Sequence, residues 1–238
     1  MTALTCIAHR GGYLDRDNTP ENSLAAIRHS LALGVDAIEI DIWQVQGQIW
    51  VTHDRRLGRL YSGTGLICEQ SLNTLRNLTL GNDEPIPTLP QVLELVGDQC
   101  LLNIEIKGPN CIPQLIKELT YYCNHSNTSL DNYLVSSFDQ RQLLQLKREL
   151  PRLKRGVLLA GLPLDQTAQC EPLEPHVLGL HVAAADQAMV SDAHRRGYLV
   201  WVYTINHQDE WQALSELGVD GVFTDTPQKL QAFNNGLL

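Results

Sequence analysis

No run of about 18 apolar residues occurs anywhere in the 238-residue sequence, so no transmembrane helix is predicted. Met1 to Cys6 show no basic segment leading into a long apolar stretch, so no secretory leader is predicted and a cytoplasmic protein is expected. Basic residues are few: 18 lysines and arginines stand against 27 aspartates and glutamates, a net charge of −9. That balance argues against a nucleic-acid or anionic-membrane binder, which needs a basic face, but not against a small anionic substrate held by a local site. No glycine-rich nucleotide loop followed by Lys-Ser or Lys-Thr is present, which excludes a P-loop NTPase. The cysteines Cys6, Cys68, Cys100, Cys111, Cys123 and Cys170 form no CxxC pair and are expected as free thiols rather than disulfides. No stretch rich in Ser, Pro or charge divides the chain, and no heptads mark an oligomer surface, so one domain over 1–238 is expected and the oligomeric state is left open.

What is present is an alternation of short apolar runs and helical patterns. Leu4–His9 reads as a strand ending in His-Arg-Gly-Gly, and Pro20-Glu21-Asn22 as the start of a helix reaching Leu33, closed by Gly34. Asp36–Ile42 and Ile49–His53 are strands with too few residues between them for a helix, so they form a hairpin or a helix-free return. An irregular segment rich in Gly and Pro follows from about Arg55 to Pro90, long enough to cap or line a site. Beyond it come a helix at Leu89–Val96, strand Cys100–Ile106, helix Pro113–Cys123, strand Tyr133–Ser136 and helix Gln140–Leu150. Strands Gly156–Leu159 and Val177–Val182, helix Gln187–Arg196, strand Leu199–Thr204, helix Asp209–Leu217 and strand Gly221–Thr224 complete the chain. Alternation of this kind predicts a parallel sheet covered by helices, and the length suits closure into a single (β/α)8 TIM barrel.

The polar residues are distributed in a telling way. His9 and Arg10 end the first strand, Glu39 and Asp41 lie in the second, His53 and Asp54 end the third, and Glu105 and Lys107 end the next. In a barrel those strand ends converge on one mouth. Glu39 and Asp41 are two apart on an extended run, so both side chains share a face. Their apolar neighbours predict that this face points inward, where unpaired carboxylates are costly. Glu105, in Leu-Leu-Asn-Ile-Glu-Ile, repeats the pattern. Three inward carboxylates repel one another unless a cation joins them, and hard oxygen donors favour one divalent cation such as Mg²⁺, Ca²⁺ or Mn²⁺ over zinc. His9 and His53 can serve as metal ligands or as a general acid–base pair, and with three carboxylates already available the second role suits them better. Arg10 and Lys107 can pair with the carboxylates or hold an anion. Anion, metal and two histidines together point to phosphoryl chemistry.

An ordered set of motifs resembles the glycerophosphodiester phosphodiesterase family. It runs through Ala8-His9-Arg10-Gly11-Gly12, Pro20-Glu21-Asn22-Ser23, Ile38-Glu39-Ile40-Asp41, Thr52-His53-Asp54, Ile86-Pro87-Thr88-Leu89 and Asn103-Ile104-Glu105-Ile106-Lys107. It ends with Tyr203-Thr204-Ile205-Asn206 and Gly218 to Pro227. The resemblance implies a TIM barrel that hydrolyses glycerophosphodiesters to sn-glycerol 3-phosphate and an alcohol. It also implies metal binding by Glu39, Asp41 and Glu105, acid–base catalysis by His9 and His53, and substrate contacts from Arg10, Lys107 and Tyr203. Residues from about 55 to 87 match the family's small insertion. Tyr203 stands where Trp is common, which bears on the glycerol end of the substrate rather than on the chemistry. A lysophospholipase D-like activity is the alternative, with Leu57, Leu60, Tyr61 and Leu66 as candidate apolar contacts. A non-catalytic sugar-phosphate-binding barrel is the remaining reading.

Overall fold

The structure is a computed structural model that describes residues 3–13, 19–81 and 83–238. Residues 1 and 2, on which the leader expectation partly rests, lie outside them. The apolar runs form β1 (Thr5–Ala8), β2 (Ala37–Val45), β3 (Gln48–Val51), β4 (Leu101–Ile106), β5 (Tyr133–Ser137), β6 (Lys154–Leu159), β7 (Val177–His181), β8 (Leu199–Tyr203) and β9 (Gly221–Thr224). They make one nine-stranded sheet in the order β1-β9-β8-β7-β6-β5-β4-β2-β3. A further pairing, Ile7 with Ala37 and Ala8 with Ile38, brings β1 onto β2 and closes the parallel strands into a (β/α)8 barrel. The extra strand, β3, is antiparallel and pairs with the upper half of β2, from Ile42 opposite Val51 to Val45 opposite Gln48. The short link before β3 is therefore a hairpin, the first of the two forms the sequence allows.

The helices are α1 (Leu24–Leu33), α2 (Leu72–Arg76), α3 (Leu89–Val96), α4 (Ile112–Ser126), α5 (Gln140–Glu149), α6 (Gln187–Arg195), α7 (Gln208–Leu217) and α8 (Pro227–Asn234). Two of them, α2 and α8, escape the sequence reading. Among the described residues no helix is long and apolar enough to cross a membrane.

Two-residue alternation sorts the side chains of each barrel strand. Ile38, Ile40 and Ile42 of β2 and Leu102, Ile104 and Ile106 of β4 face outward and pack with Leu93, Leu115 and Leu143 of the surrounding helices. On the opposite faces, Ile7, Ala37, Leu134, Val177, Trp201 and Phe223 form a separate buried cluster that plugs the barrel interior. The inward positions above this plug carry the polar residues, which is why the chemistry lies at one mouth.

Two sequence expectations are corrected by local hydrogen bonding. The helix expected from Pro20 starts at Leu24: Ser23 is its N-cap, its hydroxyl accepting from the Ala26 N–H at 3.0 Å. Asn22 adopts a left-handed backbone (φ 59°), and its N–H donates to the Arg10 carbonyl at 2.7 Å. Pro20-Glu21-Asn22 is thus a loop held against the barrel mouth. Second, His53 does not end a barrel strand. β2 rises past the mouth, the hairpin reverses, and β3 brings Thr52 and His53 back down to it, with Thr52 N–H donating to the Asp41 carbonyl at 2.9 Å.

The segment after β3 carries its own small core. Tyr61, Ile67, Leu75, Leu78, Leu80 and Ile86 bury against Trp43, Val45 and Trp50 of the hairpin, with Leu57 and Leu60 packed on the cluster. Tyr61, Leu57 and Leu60, weighed in the sequence as an apolar lining, hold this segment together instead.

Candidate active site

The turn after β1 is the first part of the site. His9 to Gly12 form one tight turn, with Arg10, Gly11 and Gly12 all at positive φ and the Gly12 N–H donating to the His9 carbonyl at 2.8 Å. A side chain at Gly12 would meet Pro227 Cγ at 2.9 Å, so the close pass to α8 requires glycine there. The Ser30 hydroxyl donates to the Gly11 carbonyl at 2.7 Å and pins the turn to α1. With the turn fixed, the Arg10 N–H donates to Glu39 Oε2 at 2.7 Å.

Glu39, Asp41 and Glu105 are all buried, and each offers a carboxylate oxygen within 4.8 Å of the others. Their proximity follows from register: Asp41 lies opposite Glu105 in the parallel β2–β4 pair, and Glu39 lies one inward position lower, opposite Asn103. Burial, reinforced by the charges of Asp41 and Glu105, pushes the Glu39 carboxyl well above the usual carboxylate range. Burial and Asp41 likewise raise Glu105 to about 7. Burial also opposes ionisation of Asp41, but Lys107, His53 and Arg10 outweigh it and hold that group below its ordinary value. The central carboxylate therefore stays charged while its neighbours are electrostatically loaded. Lys107 Nζ lies 2.5 Å from Glu105 Oε1 and 3.3 Å from Asp41 Oδ1. Glu39 Oε1 is buried without a hydrogen-bond partner. An all-oxygen donor set with an unsatisfied buried oxygen fits a hard divalent cation.

Each histidine has a carboxylate at Nδ1. Asp225 Oδ1 lies 2.7 Å from His9 Nδ1. Asp225 is itself fixed by Asn206, whose Nδ2 donates to Oδ2 at 2.8 Å and whose Oδ1 accepts from the Asp225 N–H at 2.8 Å. Burial works against the Asp225 charge, but His9 and Asn206 outweigh it and lower its pKa. Asp54 Oδ1 lies 3.0 Å from His53 Nδ1. Burial lowers the pKa of His53, overcoming the opposite pull of Asp41 and Asp54. In both rings the carboxylate at Nδ1 leaves Nε2 as the nitrogen open to a ligand.

His9, Arg10, His53, Glu105, Lys107 and Tyr203 line one cavity of about 290 Å³, together with Phe138, Leu158, Thr204 and Phe223. A larger groove of about 610 Å³ lies outside the barrel between α3 and α4, away from these groups. Every site residue named from the sequence is thus at the mouth, with Glu39 and Asp41 just beneath the cavity. Tyr203 forms one wall: its hydroxyl donates to the Leu159 carbonyl at 3.0 Å, and its ring meets Phe138 and Phe223 edge-on. Arg10 and Lys107 prove to be carboxylate partners and cavity lining at once.

Several site residues carry no assignment in the sequence reading. Asn22 donates to Asp41 Oδ2 at 2.9 Å and accepts the Asp41 N–H at 3.1 Å. Asp225 follows β9 directly and Asn206 lies three residues past β8, so the strand-end logic applied to β1 and β4 points to them as well. Phe138 follows β5 in the same way, with its ring 5.7 Å from Lys107 Nζ.

Residues 9–229 match the Glycerophosphoryl diester phosphodiesterase family. The chain belongs to this family. With it, the chain is placed among the phosphoric diester hydrolases. A glycerophosphodiester phosphodiesterase of Caldanaerobacter subterraneus subsp. tengcongensis is 31% identical, over 94% of this chain and 95% of the relative. A phosphodiesterase of Oleispira antarctica, solved in complex with the product sn-glycerol-3-phosphate, superposes with a TM-score of 0.86 at 30% identity, covering 98% of this chain and 97% of that one. A lysophospholipase D of Rattus norvegicus is 27% identical over 97% of this chain and 86% of its own.

Proposed function

We propose that the chain hydrolyses glycerophosphodiesters to sn-glycerol 3-phosphate and an alcohol, as one barrel domain over 1–238 with 55–87 as an insertion at its mouth. The observation that carries this reading is the convergence on one cavity of two carboxylate-backed histidines, two cations and a buried carboxylate triad. The product held by the Oleispira phosphodiesterase is the one this activity would release.

Glu39, Asp41 and Glu105 would hold one divalent cation, Mg²⁺, Ca²⁺ or Mn²⁺. When bound it supplies positive charge against the phosphate oxygens. His53, kept neutral by its burial, takes the proton of the attacking hydroxyl at Nε2. His9, oriented by Asp225, gives a proton from Nε2 to the departing alkoxide. Arg10 and Lys107 orient the phosphate from either side, and Tyr203 with Phe138 and Phe223 offers an apolar wall to the glycerol carbons. The attacking oxygen is the glycerol 2-hydroxyl or water, and a transient cyclic phosphate distinguishes the two. Chelation with EDTA is expected to abolish turnover of glycerophosphocholine and a divalent ion to restore it; full activity after exhaustive chelation would sink the metal assignment.

A second reading, lysophospholipase D-like hydrolysis, rests on the rim. Phe138 follows β5, and Leu162 and Leu164 lie in the loop after β6, all on the mouth side and all exposed. An acyl chain would lie against these residues rather than against Leu57, Leu60 or Tyr61. Turnover of glycerophosphocholine and lysophosphatidylcholine, compared side by side, decides between the readings. A cytoplasmic location is also proposed: all six cysteines are free thiols, three of them buried, as suits a reducing compartment.

A further inference from the structure

Arg59 belongs to the segment between β3 and α3, yet its guanidinium binds two carboxylates beside the cavity. Its Nε donates to Asp54 Oδ2 at 2.6 Å and one terminal nitrogen to Asp54 Oδ1 at 2.9 Å. Toward the other side, its terminal nitrogens donate to Glu21 Oε2 at 2.8 Å and Oε1 at 2.6 Å. Each carboxylate has a second partner that lines the cavity. Asp54 Oδ1 meets His53 Nδ1 at 3.0 Å, and Glu21 Oε1 accepts from the Arg10 guanidinium at 2.9 Å. One planar fork thus joins two residues that touch the cavity through two intermediates that do not line it.

We propose that Arg59 is a positioning residue, through which the insertion sets the ring of His53 by way of Asp54 and the guanidinium of Arg10 by way of Glu21. The inference rests on the hydrolase reading above. Three segments meet at this fork: the loop before α1 with Glu21, the return of the hairpin with Asp54, and the insertion with Arg59. Both neighbours of the fork need fixing. Arg10 sits on a strained left-handed turn, and His53 follows β3, a returning strand that is not part of the closed barrel. Only a guanidinium can serve both carboxylates two-pronged at once; an ammonium in its place is a point charge that reaches one geometry at a time. Arg59 is also 46% exposed in its side chain, and pairs so exposed add little to global stability. Its contribution should therefore appear in turnover far more than in the melting temperature.

The test uses full-length Arg59→Ala, Arg59→Lys, Asp54→Asn and the Arg59→Ala/Asp54→Asn double variant, with glycerophosphocholine and excess Mg²⁺, alongside Tm and Mn²⁺ affinity. Arg59→Ala should lower kcat/KM about 10- to 100-fold, the scale of a lost charge-assisted network. The loss should divide between kcat, through His53, and KM, through Arg10, with Tm and Mn²⁺ affinity near those of the parent. Arg59→Lys should recover part of it. Added to Asp54→Asn, Arg59→Ala should cost less in kcat than it does alone, because the route to His53 is already broken. Parental kcat and KM in Arg59→Ala would overturn the inference, as would a kcat loss that multiplies in full onto Asp54→Asn. Should Arg59→Ala fail to fold, Arg59→Lys carries the same comparison, and parental constants there overturn it equally. A parent with no turnover overturns the hydrolase reading and this inference together; an active parent indifferent to Arg59 overturns this inference alone.

Discussion

Replacing Glu105 with Gln should stabilise the metal-free protein at alkaline pH while weakening its response to metal. Glu105 is buried, and its carboxyl is raised from 4.5 to about 7 by burial and by Asp41. The folded chain therefore keeps a proton that the unfolded chain releases between these values. The contribution of Glu105 to stability is full below about pH 4.5 and is lost as pH rises through 7. Moving this carboxyl from 4.5 to about 7 corresponds to roughly 3 kcal/mol, which the glutamine variant does not forfeit. Lys107 retains Asp41 as a partner at 3.3 Å, so the substitution does not strand its ammonium. For a chain of this length, roughly 3 kcal/mol corresponds to about 6–12 °C in Tm. Melting parent and variant in EDTA at pH 5 and pH 8 reads the effect: the variant gains on the parent between the two. With excess Mg²⁺ at pH 8 the order reverses, since ligand binding to the native state stabilises the parent more. A Tm difference in EDTA that does not change with pH, or a variant less stable than the parent at pH 8, would show that the fold does not hold Glu105 protonated.

Three further outcomes are expected. Because burial holds His53 below the ordinary histidine value of 6.5, the acid limb of kcat/KM should fall below pH 6.5; a limb above that value contradicts the base assignment. Asp225→Asn should lower kcat about 100-fold or more with Tm nearly unchanged, since the amide can favour the wrong tautomer of His9, and a kcat within about twofold of the parent would remove Asp225 from the site. Trp201→Ala, which empties part of the barrel plug beside Phe223, should cost about 3–5 kcal/mol in chemical denaturation, and a loss under about 1 kcal/mol would show that the plug contributes little.

The barrel and half of its site were legible because both depend on short-range periodicity. Ala37 to Ile42 alternates strictly, so the inward facing of Glu39 and Asp41 follows from the strand itself, and Gly34 marks the end of α1 through its positive φ. Asp41 beside Glu105 depends on register between strands far apart in sequence, yet three carboxylates on inward-facing positions already implied a shared cation. The loop at Pro20-Glu21-Asn22 was not legible as a loop. Its residues are ordinary helix starters, and only hydrogen bonds to Arg10 and Asp41 pull it away from the helix. The direction of β3 was equally hidden, because a hairpin and a helix-free return have the same local pattern. Asp225 was within reach, since it follows the last strand as His9 follows the first. Arg59 was not: it lies in a segment without periodicity, and its partners come from two other parts of the chain.

Phosphorus NMR of glycerophosphocholine reads the hydrolysis itself, with the parent, His9→Ala and His53→Ala each followed in Mg²⁺ and in EDTA. The parent with Mg²⁺ should convert the substrate to sn-glycerol 3-phosphate, and chelation or loss of either histidine should remove most of that conversion while the fold survives. Parental rates in either histidine variant with the metal present would contradict this expectation.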